Sequence, residues 1–223
     1  MKTLELNLDN LADRVEHARA LLVQMADLFT DAGVPVRAFT SPDLPVFRSH
    51  SPEEQVMLIR ELESRVELFA SAAKENIDLR DTRQMLWRSL RKGGWTPNSD
   101  VFDSIEDSDT VEVYSLDMKQ IFRNLEFFKY ISYTLEEVHG GTWYELVTRN
   151  EQAQALLFEA AMKIVNGQVK TTLDVSFVPN HTCEEVKSSE KRKFMIQMKV
   201  LSPVFRDGEM VAIIAVNRTR PCE

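Results

Sequence analysis

Apolar side chains at Leu4, Leu8, Leu11, Val15, Ala18, Leu22, Met25 and Phe29 recur at alternating spacings of 4 and 3, the seam of a helix that must bury one stripe against a neighbour. Asp9, Asp13 and Glu16 lie in its first half, where the helix dipole favours negative charge. Gly33 and Pro35 end it, and Pro35, Pro42 and Pro45 mark residues 34–50 as a loop. Ser51-Pro52-Glu53-Glu54 then predicts a helix start, with Ser51 as N-cap, Pro52 at the first helical position and Glu54 closing a capping box. No Gly or Pro interrupts the chain from there to Lys92, so the pattern predicts one rod of roughly 60 Å at about 1.5 Å per residue. Its stripe runs Ile59, Leu62, Val66, Phe69 and Ala73, then turns polar at Asn76, Arg80 and Arg83, and Gly93-Gly94 closes it. Two such helices joined by a Pro-containing loop make an antiparallel, coiled-coil-like hairpin over residues 1–95. Its spare apolar face predicts a homodimer built as a four-helix arrangement, with a monomeric helical cap as the alternative.

Beyond residue 95 the period changes. Asp100, Asp103, Glu106, Asp107 and Asp109 crowd a stretch with no Lys or Arg, so residues 96–110 read as a solvated acidic linker. Val111 to Ser115 alternates as a strand does; a turn at Asp117-Met118-Lys119 leads to a second strand, Gln120 to Asn124. Leu125 to Ile131 reads as a short helix, and Tyr133 to Val147 as two helical scraps about a Gly140-Gly141 break. Asn150 to Val165 is a longer helix ended by Asn166-Gly167. Three strands follow, Lys170 to Val178, Phe194 to Val204 and Met210 to Asn217, joined by a polar loop at 179–193 and a tight turn at Arg206-Asp207-Gly208-Glu209. The last strand, apolar on both faces, belongs at the centre of a sheet. The fold class is therefore α+β: the N-terminal hairpin, the linker, and a five-stranded antiparallel sheet over 111–219 with helices on one face.

Charge and cysteine usage narrow the function classes. With 27 basic against 35 acidic side chains the net charge is -8, which argues against direct contact with nucleic acid. No run approaches the roughly 20 apolar residues that cross a bilayer, and MKTLELNLDN lacks the apolar core of a secretory signal. A cytoplasmic protein with no membrane contact is expected. Cys183 and Cys222 make no disulfide framework, and His181-x-Cys183, half a metal site with no second pair at ligand spacing, reads as exposed loop.

The stretch from Tyr133 to Trp143, with Glu136-Glu137 before the Gly pair, resembles the helical middle of PAS sensor domains. Further points match: Asn124 with Phe127 or Phe128 stands where that family has an Asn followed by an aromatic, and Ser202-Pro203-Val204 with Asp207-Gly208 resembles its turn into the last strand. The resemblance covers residues 110–219. At the exit Asn217-Arg218-Thr219 keeps the Thr of the family's Asp-x-Thr and replaces the Asp.

The resemblance implies a sensor with a cavity between helices and sheet, lined here by Phe128, Tyr133, Trp143, Leu157, Met162, Leu173, Val175, Phe177, Ile196 and Met198. The bland reading is that these side chains fill a core. Haem-binding relatives place a histidine on the helix that here runs from Asn150 to Val165 and has none, while His139 suits a helix end. Flavin photochemistry would need a cysteine where this chain has none, so no cofactor is expected. Arg123, Lys129 and Arg149 could meet an anionic group, although such charges are normally solvated. Glu136-Glu137 and Glu184-Glu185 read as surface pairs, and no phosphate loop, nucleophile elbow or His-Asp pairing suggests an enzyme. The expected function is a dimeric PAS-type signalling module responding to a small ligand or a protein partner. The alternatives are an interaction scaffold and the sensor part of a transcriptional regulator whose DNA-binding domain lies outside these residues.

Overall fold

A computed structural model describes residue 8 and residues 10–116 and 119–222. The chain forms two compact units, one from the chain up to Asp78 together with Tyr133–Gly141, the other from Leu79–Ser132 and Thr142–Glu223. The backbone therefore passes between units three times, after Asp78, Ser132 and Gly141.

In the first unit α1 spans Leu11–Asp31, with Asn10 as N-cap accepting the Asp13 N–H. The seam positions from Val15 to Phe29 are buried, whereas Leu4 and the Asp9 charge lie outside the described residues. After the short α2 (Pro45–Arg48), α3 spans Pro52–Lys74 and opens with the Ser51/Glu54 capping box that the spacing predicts. Helices α1 and α3 pack together through the stripe Ile59, Leu62, Val66 and Phe69, with Phe29 and Phe69 edge to face at 4.9 Å. That seam is filled within the chain; Leu11, Val23 and Met57 are the large apolar side chains these helices leave exposed.

The rod does not continue to Lys92. Helix α3 ends at Lys74, Asn76 takes a left-handed φ of 58°, and α4 (Thr82–Lys92) begins afresh in the second unit with Asp81 accepting the Gln84 N–H. Asn tolerates that conformation better than most residues and Asp is a strong N-cap, so two local preferences divide a run of helix formers. The polar turn of the stripe at Asn76 is the mark of this break.

Helix α5 (Leu135–Gly140) lies at the heart of the PAS-like stretch and belongs to the helical unit. The Leu135 and Glu136 N–H groups donate to the Arg37 and Ala38 carbonyls at 2.9 and 3.0 Å, and the Glu136 carboxylate accepts the Val46 and Phe47 N–H groups at 2.8 and 3.2 Å. His50 Nε2 meets the Gly140 carbonyl at 2.7 Å. A Cβ on Gly140 would lie 2.8 Å from Val46 Cγ1, so this close approach requires glycine. Glu136, expected on the surface, is buried because it caps the first-turn N–H groups of α2, which have no partner within the helix.

The second unit is built on one antiparallel sheet of eight strands: β1 (Thr96–Pro97), β2 (Asp109–Ser115), β3 (Gln120–Arg123), β4 (Val147–Arg149), β5 (Leu173–Asp174), β6 (His181–Glu185), β7 (Lys193–Arg206) and β8 (Glu209–Pro221). The main order is β3-β2-β8-β7-β6-β4, which makes β8 central, as its two-faced apolar run predicts. The mixed α+β class and the N-terminal helices hold; the expected five strands become eight in a curled sheet. The reason lies in β7, whose 14 residues are matched by β8 on one edge and outrun every strand on the other. Its edge opposite β8 is covered in turn by β6, β5 and β1, so its backbone groups stay paired.

Three expectations change with it. The strand over 170–178 shrinks to Leu173–Asp174, because Asp174 Oδ1 accepts the Ser176 N–H and turns the chain. The strand displaced by that turn forms at His181–Glu185, inside the expected polar loop. The acidic linker is ordered: it carries β1, a 3-10 helix at Ser99–Ser104 with Val101 buried, and a fully buried Asp109 whose Oδ2 meets Lys199 at 2.6 Å. A bulge between Met198 and Val200 sets Lys199 apart from the β8 ladder. The Asp117-Met118-Lys119 turn falls largely outside the described residues. Asn124 ties the unit together, accepting the Val111 N–H at 3.0 Å and donating to Thr82 Oγ1 at 2.8 Å and to the Asp109 carbonyl at 2.7 Å. Helices α6 (Trp143–Leu146) and α7 (Glu151–Val165) precede the last strands, and α7 packs on β7. Among the described residues no helix is long and apolar enough to cross a membrane.

Candidate functional site: a buried polar face of the sheet

Glu112 sits in the middle of β2 between two valines, and alternation alone would send it to solvent. It is only 7% exposed. A buried carboxylate needs compensation, and the neighbouring strand supplies it: Arg123, directly opposite in the β2–β3 register, places Nε at 2.9 Å and Nη2 at 2.8 Å from Glu112 Oε1. The same oxygen accepts from Tyr114 Oη at 2.8 Å and Gln120 Nε2 at 3.2 Å. Oε2 receives one long bond, 3.4 Å from Asn217 Nδ2 on β8. The guanidinium of Arg123 also lies 3.6 Å over the Phe127 ring, which meets Phe128 edge to face at 5.6 Å. Burial, and then the Glu112 charge, raise the Tyr114 hydroxyl well above its ordinary value, so it remains a donor.

The strand registers extend this face across the sheet. Glu112 opposes Ala215, Asn217 opposes Met198, Ile196 opposes His181, and Cys183 opposes both Phe194 and Arg149. Partners in register share a face, as do residues two apart on one strand, so Arg123, Glu112, Asn217, Met198, Ile196, His181, Cys183 and Arg149 look the same way. Burial pushes the Cys183 thiol up to about 11, with the Arg149 charge lowering it and the Glu112 charge raising it. Cys183 is therefore an uncharged thiol at neutral pH, within electrostatic reach of both charges. Burial lowers the His181 pKa, the bond to the Pro179 carbonyl opposes this, and the Arg149 charge lowers it further. Neutral His181 donates from Nδ1 to the Pro179 carbonyl at 3.0 Å, which leaves Nε2 as an acceptor.

Three side chains on this face, each more than nine-tenths buried, carry a polar atom with no hydrogen-bond partner: Arg123 Nη1, Asn217 Oδ1 and His181 Nε2. Folded proteins rarely leave such atoms unmet, since each costs about 1–3 kcal/mol. These three atoms are one cationic donor and two neutral acceptors.

The residues expected to line a cavity separate. Ile196 and Met198 lie on this face, and Phe128 reaches it through Phe127 and Arg123. Leu157 and Val175 are buried, Met162 and Leu173 half-buried. Phe177 is 56% exposed, beyond the turn that ends β5. Tyr133 is buried and groups with the helical unit, and Trp143 stands on α6. Of the three cations, Lys129 turns outward to pair with Glu126, Arg123 is buried, and Arg149 is half-buried at the edge strand. Glu112 is the polar member that sequence reasoning missed; Asn217 stood out only as the exchanged residue of the exit motif, and His181-x-Cys183, expected as exposed loop, is buried on β6 because that segment pairs with β7. Glu185, expected on the surface, is 1% exposed and takes bonds from Ser132 N and Oγ, both at 2.6 Å, Ser188 Oγ at 2.5 Å and the Arg192 N–H at 3.0 Å.

On the helical unit an open groove of about 480 Å³ is bordered by Leu11, Val15, Arg19, Asp43 and Arg48. Its charges are of both signs. Among the described residues no group of three or more His, Cys, Asp or Glu side chains could hold a metal ion. Compared with known proteins, the chain matches no family model and no curated protein.

Proposed function

We propose that the chain is a PAS-type, non-enzymatic sensory module of the cytoplasm that binds a small molecule on the buried polar face of the sheet and relays the event to its helices. The observation that carries this reading is the set of buried, unmatched polar atoms on Arg123, Asn217 and His181. A core that merely filled space would put apolar side chains there. The relay is supported by the path of the backbone: Tyr133–Gly141 leaves the sheet unit, lends α5 to the helical unit and returns. Strain at the sheet has a covalent route to the helices at three places. Self-association through the helices is part of the proposal and rests on Leu11, Val23 and Met57, the apolar side chains that the α1–α3 packing leaves uncovered.

Native mass spectrometry of the protein purified from its cells is expected to show a bound small molecule. Hydrogen exchange in α1, α3 and α5 is expected to change when that molecule is removed. A ligand-free protein, or exchange changes confined to the sheet unit, would overturn the sensory reading. Light scattering is expected to give twice the chain mass, reduced by Met57→Lys; a monomer at all concentrations removes the dimer.

A further inference from the structure

We infer that the second copy in the proposed dimer lies antiparallel along the outer face of α1, at the groove beside it, with Glu16 of each copy meeting Arg19 of the other. This rests on the self-association reading above and goes further by naming the surface, its register and the pairs that set it.

Helix α1 carries two seams. The inner one, from Val15 to Phe29, is buried and packs on α3 within the chain. The outer one is Ala12, Glu16, Arg19 and Val23, at spacings of 4, 3 and 4, the repeat that keeps a stripe in line along a partner helix. Ala12 and Glu16 are exposed, Arg19 is half-buried and Val23 is 41% exposed; Leu11, 37% exposed, flanks the start. Ala12, Glu16 and Arg19 also border the groove of about 480 Å³, together with Asp43 and Arg48.

The order of residue types selects the occupant. The four outer positions are symmetric about a point between His17 and Ala18. A two-fold axis there sets Ala12 opposite Val23 of the second copy and Glu16 opposite its Arg19, each pair twice. A parallel neighbour would instead set Glu16 against Glu16 and Arg19 against Arg19. Apolar ends and a charged centre match themselves in reverse: the ends bury carbon, and the centre fixes direction and register. Neighbouring charges leave this balance intact. Asp43 and Arg48 bring one of each sign, His17 pairs with Glu63 at 2.8 Å, and Asp13 takes a bond from Asn10 Nδ2 at 2.5 Å. The groove is even in charge, so an ion or a strongly charged surface finds no excess there to neutralise, whereas the same face turned about the axis finds each charge its opposite. Arg19 Nε donates to the Pro42 carbonyl at 3.1 Å, which anchors the guanidinium at the groove, and Glu16 has no partner among the described residues.

Charge swaps at the two central positions test this on the full chain by light scattering and native mass spectrometry. Glu16→Arg and Arg19→Glu each set like charges opposite one another twice, and each is expected to weaken the dimer by about tenfold or more. An equimolar mixture of the two variants is expected to regain the wild-type affinity as a mixed dimer, and a chain carrying both swaps to regain it as a homodimer. Circular dichroism and melting establish that the variants fold. Should either fail, copies carrying Ala12→Cys mixed with copies carrying Val23→Cys, all in a Cys222→Ser background, are expected to join by a disulfide under mild oxidation, and copies carrying Ala12→Cys alone are not. A dimer unmoved by the swaps, a mixture no tighter than its components, or no disulfide in the mixed cysteine sample would each overturn the inference. If Met57→Lys still splits such a dimer, self-association through the helices stands without this register. A wild type that is monomeric at all concentrations removes both and leaves the ligand-binding reading standing; should that monomer dimerise once residues 1–7 are deleted, the groove belongs to the chain's own amino terminus.

Discussion

Glu185 and Glu136 are both buried carboxylates in local acceptor roles, and their surroundings push them in opposite directions. For Glu185 burial alone would raise the pKa, but the bonds from Ser132, Ser188 and the Arg192 N–H outweigh it and hold the carboxyl below its ordinary value. Its stabilising contribution is therefore present above the unfolded value, about 4.3, and lost as pH falls through the lower folded value. Urea denaturation should find Glu185→Gln less stable than wild type at pH 7, with a gap that narrows below about pH 4. For Glu136 burial wins over the Phe47 and Val46 N–H groups, with help from the Glu137 charge, and its pKa is raised. Ionisation then works against the fold as pH rises past the unfolded value, while a glutamine carbonyl can still accept both N–H groups. Glu136→Gln should equal or exceed wild type in stability at pH 7 and lose that advantage below about pH 4. Neither burial was legible in the chain, where both glutamates sit in acidic pairs that look solvated. What buries them is a distant backbone: residues 46 and 47 for one, Ser132 for the other.

Among the elements, those set by neighbours in sequence were readable. The capping box at Ser51 and Glu54, the end of α7 at Asn166-Gly167 and the central place of β8 each follow from local chemistry or from burial on both faces. The helix break at Asn76 was hidden because its signals, a left-handed Asn and an Asp cap, are weak against a run of helix formers. Replacing the cap, Asp81→Ala, should lower stability by about 1 kcal/mol. It should also speed amide exchange at Arg83 to Met85 while leaving α3 unchanged, and hydrogen exchange with mass detection would show both. The displaced third strand has a similar cause, since the Asp174 turn is one hydrogen bond and the β6 register depends on β7, far along the chain. The candidate site was half visible: Arg123 stood out as a cation that could meet an anion, but Glu112 on β2, and Asn217 on β8 that bonds Glu112 in turn, are brought to it only by the sheet.

For the molecule as a whole, the sequence divides where its hydrophobic period changes, near residue 95, and the fold divides elsewhere. Helix α4 goes with the sheet, and α5 goes with the helices. A gene fragment ending at Asp78 lacks Glu136 and the Leu135 and Gly140 backbone groups that bind residues 37, 38, 46, 47 and 50. Such a fragment should stay helical by circular dichroism but melt broadly. Adding a peptide of residues 133–141 should sharpen the transition; if the bare fragment already melts as sharply as the intact chain, α5 is dispensable. The borrowed helix also constrains the order of events on the ribosome. The first 78 residues emerge early, yet their partner arrives only when Gly141 has been made, after the first two strands of the main ladder. The amino-terminal bundle must therefore wait, half-finished, for a piece encoded inside its neighbour.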